Sequence, residues 1–110
     1  MKIANDLTDR ELLELAAKAA GYNIVDKSHP ISVYIYSDGC KGGVFWNPLK
    51  DDGDAFRLAV KCRMNVNIYY NDTRVTADDV FLCEMHEVDL CAATRRAIVR
   101  VAAEIARSKV

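Results

Sequence analysis

The sequence predicts an α+β fold in which three helices pack on a mainly antiparallel sheet of about four strands. Three observations lead there. Apolar residues recur at helical spacing in separate stretches at the start, middle and end of the chain. Between those stretches lie short runs rich in β-branched and aromatic residues, paired across turn-forming segments that favour antiparallel hairpins. The 110 residues, 51% hydrophobic and 28% charged, suit one domain with its own core and argue against intrinsic disorder.

The first helix carries the most complete local signal. Thr8 is placed as N-cap, Glu11 as its capping-box partner, and Leu7 with Leu12 as a hydrophobic staple, so the helix starts at Asp9. Leu12, Leu13, Leu15, Ala16, Ala19 and Ala20 supply its apolar face, and Gly21 ends it near Ala20. Two strands follow, at residues 22–25 and 31–36, separated by the turn sequence DKSHP. In the second, Ile31, Val33 and Ile35 alternate with Ser32, Tyr34 and Tyr36, which puts an aliphatic face toward the first helix and an aromatic, polar face away from it.

Residues 37–54, SDGCKGGVFWNPLKDDGD, hold four of the chain's five glycines and read as its longest irregular segment. Asp51 and Asp52 then suit a helix N-terminus, and Ala55, Phe56, Ala59, Val60 and Cys62 give the apolar stripe of a second helix at about residues 53–62. Residues 65–70 alternate as a strand, NDT at 71–73 is turn chemistry, and one further strand is centred on residues 80–85. Asp89 caps a long final helix. Leu90, Ala93, Ala97, Ile98, Val101, Ala102 and Ile105 line one side of it, and Arg95, Arg96, Arg100, Glu104 and Arg107 the remainder.

The N-terminal residues lack the apolar run of a signal peptide, and no window approaches 18 consecutive apolar residues, so a soluble protein of the cytoplasm is expected, with no membrane contact. Cys40, Cys62, Cys83 and Cys91 are expected as reduced thiols. A formal charge of −1 exerts no general pull toward nucleic acid or anionic membrane.

Three segments occur in an order of some specificity: ELLELAAKAAGY at residues 11–22, WNPLKDDGDAFRLAVKC at 46–62 and AATRRAIVRVAAEIAR at 92–107. Together they resemble the small phage and prophage proteins grouped as the phage ABA sandwich domain. The resemblance implies a layered helix/sheet/helix (ABA) sandwich and a phage origin in a bacterial cytoplasm, and it brings no established reaction, ligand or site residue. In such sequences the second helix commonly exits through a glycine, whereas here Arg63 and Met64 occupy that exit.

Each chemical motif has a structural counterpart. The acids of DDGD at 51–54 offer oxygen ligands for a hard cation, but the segment runs at once into an apolar helix, so capping is the expected role. Cys83, His86 and Cys91 are an incomplete zinc set, for whose fourth ligand only Cys40, Cys62 or His29 remains, and Cys83 and His86 fall on opposite faces of a strand, so buried cysteines and a half-exposed histidine are expected instead. No nucleophile signature is present. Arg95, Arg96 and Arg100, with Lys41 in the glycine-rich loop, form a candidate basic strip for an anion or an acidic partner. Trp46, Phe45, Tyr34 and Tyr36 form a candidate protein interface, since aromatic residues are enriched at the energetic centres of interfaces.

The expected function is that of a non-enzymatic phage or prophage accessory protein that binds a host or phage protein and modulates a host defence factor, without cofactor or metal. Homo-oligomerisation is compatible with it. The alternatives are a small-molecule or nucleotide site built from residues 37–54 and the last-helix arginines, and weak nucleic-acid binding through those arginines.

Overall fold

The computed structural model describes residues 7–36 and 43–108. The chain begins with α1 (Asp9–Ala20), bounded as its local sequence requires. Thr8 Oγ1 accepts from the Glu11 amide at 3.1 Å, and Glu11 Oε1 accepts from the Thr8 amide at 3.0 Å, so the box is closed in both directions. Gly21, at φ 79°, turns the chain left-handed, which lets the amides of Gly21 and Tyr22 reach back to carbonyls of the last turn.

Next come β1 (Asn23–Asp26), β2 (Val33–Tyr36) and β3 (Val44–Trp46), then α2 (Asp52–Lys61). The second half adds β4 (Asn65–Ile68), β5 (Asp72–Ala77), β6 (Val80–Met85) and α3 (Leu90–Ser108). The described strands are antiparallel and form two three-stranded sheets, ordered β1-β2-β3 and β4-β5-β6, where one sheet of about four strands was expected. The two unexpected strands are β3 and β5. With three residues, β3 is too short to show an alternation of its own, and it becomes a strand only by pairing with β2. β5 is separated from β6 by Asp78 and Asp79 alone, and Asp78 takes the positive φ of 53° that so tight a hairpin turn needs.

The core gathers around α3, which packs against α1, α2, β5 and β6. Being enclosed on several sides, α3 buries Val99, Ala103 and Ala106 as well as the expected Ala97, Ile98, Val101, Ala102 and Ile105. Both α3 and α1 bury alanines in this one cluster, and such small side chains let packed helices approach closely. Val33, Ile35 and Trp46 contribute from the first sheet, Val75 and Ala77 from the second, and Leu58 from α2. Leu90, expected on the inner face, is instead exposed at the first turn of α3.

α2 starts with Asp51 as N-cap, whose carboxylate accepts from the Asp54 amide at 2.8 Å. At its exit Arg63 adopts φ 54°, the left-handed position that glycine fills at lower cost, while the Met64 amide bonds back to Ala59 O at 3.0 Å. The W-N-P segment fastens α2 to the first sheet. Asn47 is buried, donates to Ile31 O at 2.8 Å, accepts from the Leu49 amide at 3.0 Å, and presents its own amide to Asp54 Oδ2 at 3.0 Å. Asn47→Ala leaves the part-buried Ile31 carbonyl and the buried Leu49 amide unpaired, and is expected to lower stability by about 1 to 3 kcal/mol in urea denaturation. A loss below roughly 0.5 kcal/mol would show that water replaces both bonds without penalty.

Candidate functional site

The pairing of β3 with β2 decides which of two neighbouring aromatic side chains is presented outward. Trp46 pairs with Val33 and Phe45 with Tyr34. Paired residues share a face, so Trp46 follows buried Val33 inward and Phe45 follows Tyr34 outward. Trp46 is 3% exposed and meets the Tyr22 ring edge-on, with centroids 5.6 Å apart. It belongs to the core and leaves the expected interface set.

Phe45 is 60% exposed, with its ring 5.0 Å from Tyr34 and 4.9 Å from His29. Tyr34 is half-buried, and Tyr36, two positions on and on the same outer face, is exposed. The cluster is held from beneath. A Cβ at Gly43 would collide with the Tyr34 ring, so glycine there is what lets the ring approach the backbone this closely. On the other side, His29 Nδ1 accepts from the Ser32 amide at 3.0 Å, and the Arg10 guanidinium bonds the carbonyls of Ser32 and His29.

The basic strip expected on α3 is neutralised by carboxylates from distant parts of the chain. Arg95 donates to Asp52 Oδ1 at 2.6 Å and to Leu49 O at 2.9 Å. Arg96 meets Asp9 at 3.2 Å, Arg100 pairs with Glu84, and Arg107 pairs with Glu104 at 2.9 Å. Of these acids only Glu104 is a near neighbour in sequence. Lys41 and Cys40 lie outside the described residues, as does the rest of segment 37–42.

The acids of DDGD are likewise engaged: Asp51 caps, Asp52 holds Arg95, and Asp54 holds Arg57 at 2.8 Å as well as the Asn47 amide. Among the described residues, no group of three or more His, Cys, Asp or Glu is placed to hold a metal ion. Cys83 and Cys91, expected to be buried, are exposed. The alternation of β6 sends Cys83 to the solvent face with Phe81 and Met85, while Cys91 lies in the exposed first turn of α3. Local desolvation, and then the Asp72 carboxylate beside it, hold the Cys83 thiol above its ordinary range, so it is a weak nucleophile at neutral pH. His86 ties β5 to α3: its Nε2 lies 2.6 Å from the Thr73 hydroxyl, which is 2.8 Å from that of Thr94.

A second surface was not anticipated. Between α2, β4 and the first turns of α3 runs an apolar groove of about 720 Å³. Phe56 and Val60 form one wall, Val66 and Ile68 the other, and Ile98 and Leu90 complete the lining. Phe56 is 68% and Ile68 62% exposed, and Val60 and Leu90 are exposed as well. The sequence puts Phe56, Val60 and Leu90 on the apolar faces of their helices, and the structure leaves all three exposed. The signal against that reading lies in α2 itself, where Ala55, Leu58 and Ala59 are the buried set and Phe56 with Val60 forms a separate i, i+4 stripe. Apolar positions at 55, 56, 58, 59 and 60 span a wider arc than one packing partner covers.

The chain matches no family model, no curated protein and no solved structure. Function therefore has to be read from these surfaces, because an α+β architecture alone does not specify one. No described helix is long and apolar enough to cross a membrane.

Proposed function

We propose that this is a non-enzymatic phage or prophage accessory protein that acts in the bacterial cytoplasm by binding another protein, with a host defence factor as the favoured class of partner. The phage setting, and the helix/sheet/helix layering that accompanies it, rest on the resemblance of residues 11–22, 46–62 and 92–107 to the phage ABA sandwich proteins. The binding role rests on one observation, the aromatic cluster of Phe45, Tyr34 and Tyr36 on the outer face of the first sheet. Rings already fixed by packing lose little conformational entropy on docking, and aromatic anchors of this kind dominate binding energy at many interfaces. The nucleotide and nucleic-acid alternatives have less support, because Arg95, Arg96 and Arg100 already bond carboxylates.

The test is a tagged pull-down from bacterial lysate with quantified recovery of the captured protein. Phe45→Ala is expected to reduce capture at least tenfold, a hot-spot effect of about 1.4 kcal/mol or more, with little change in thermal midpoint. Equal capture by wild type, Phe45→Ala and Tyr36→Ala would remove this face from the binding role.

A further inference from the structure

We infer that the groove between α2 and β4 is the surface through which two copies of this chain associate, pairing antiparallel through their β4 edges. Among the described residues, β4 is hydrogen-bonded to a strand on one side only, to β5. The Tyr69 amide bonds Asp72 O, so by the alternation of an antiparallel ladder the peptide groups of Val66 and Ile68 point away from β5 and are open.

The other described edge strands carry devices that discourage pairing. β1 is interrupted by a bulge at Val25 and ends in the charged Asp26, and β3 has only three residues. β6 has a charge, Glu84, pointing inward to Arg100. β4, Asn-Val-Asn-Ile, has no charge, no proline and an unbroken register with β5, which leaves it open to another strand.

The occupant that best fits is a second copy. Across a two-fold axis each residue near the axis meets its own counterpart, so a charged edge would repel itself. β4 is neutral, and pairing centred on Asn67 lets Val66 of one copy exchange backbone bonds with Ile68 of the other. The Asn67 amide, on the outer face, is both donor and acceptor and can bond its counterpart. Val66 and Ile68 share the groove with Phe56, so both α2 helices come to the same face of the joined six-stranded sheet. Phe56 and Val60 of each copy are then covered. Pairing takes the exposed side chains of Phe56, Val60, Ile68 and Leu90 out of water together with the β4 edge, which is the driving force for association.

The test is native mass spectrometry and sedimentation at concentrations from about 1 to 100 μM, a span bracketing ordinary dimer dissociation constants. Wild type is expected to reach twice the 12.3 kDa chain mass. Asn67→Lys and Phe56→Asp, at exposed positions, are each expected to weaken association at least tenfold while the circular dichroism spectrum is unchanged. A wild-type monomer across that range overturns the inference, whether its groove is empty or holds a co-purified apolar molecule. A dimer unaffected by both substitutions overturns it as well. A monomer that still captures its partner through Phe45 would sink the self-association and leave the binding role standing.

Discussion

Trp46→Ala is expected to lower the unfolding free energy by about 3 to 5 kcal/mol, the usual cost of truncating a buried aromatic ring. Trp46 is 3% exposed, stacks edge-on against Tyr22, and lies in the cluster that joins the first sheet to α1 and α3. A stability of about 5 to 15 kcal/mol for the whole domain makes that loss a large fraction of the total. The thermal midpoint should fall by roughly 15 °C or more, since each kcal/mol moves a domain of this size by about 4 to 8 °C. Phe45→Ala, one residue away, should change it little, because that ring is mostly in solvent. Chemical denaturation followed by far-ultraviolet circular dichroism checks both. Comparable losses for the two variants would contradict the register of β3 on β2.

Glu84→Ala should cost about 3 kcal/mol, near the lower end for breaking a buried ion pair because both partners keep some solvent contact. The Glu84 and Arg100 side chains are 19% and 16% exposed, and Arg100 Nε is buried without a hydrogen-bond partner among the described residues. Removing the carboxylate strands a cation between β6 and α3. The double variant Glu84→Leu, Arg100→Met removes both charges while keeping side-chain volume, and should regain most of the loss. Urea denaturation of the two single variants and the double variant yields the coupling energy directly. If Glu84→Ala behaves as an ordinary surface change, within about 0.5 kcal/mol of wild type, the pair contributes nothing to the fold.

Those two predictions depend on features with unequal traces in the sequence. The ends of α1 are legible because Thr8, Glu11 and Gly21 each act on residues within one or two turns. The inward aliphatic and outward aromatic faces of β2 follow from alternation over four residues. Asp51 and Asp89 are recognisable caps for the same local reason. β3 is not legible, since nothing inside Val-Phe-Trp says which ring turns inward until β2 supplies a register. The arginines of α3 mislead for a related reason. Asp9, Asp52 and Glu84 lie 87, 43 and 16 positions away in sequence, beyond any local pattern, and only the folded chain brings them to Arg96, Arg95 and Arg100.

The groove shows the same division. Its apolar residues are visible in the sequence, and their spacing makes α2 a helix with a wide apolar arc. Whether Phe56, Val60 and Leu90 are covered depends on how far β4 stands from α2, and so on the division of the strands into two sheets. Local signals suffice for the three helices, their N-caps, the antiparallel β1-β2 pair and the α+β class, because hydrogen bonds and periodicities spanning a few residues fix each. They do not suffice for the second sheet, where Asp72 and Thr73, read as turn residues, belong to β5. The tertiary structure alone decided the number of sheets, the inward turn of Trp46, the neutralisation of the arginines and the exposure of the groove. Each of those depends on contacts between segments that are far apart in the chain, where burial and charge pairing are set by the neighbour that folding delivers.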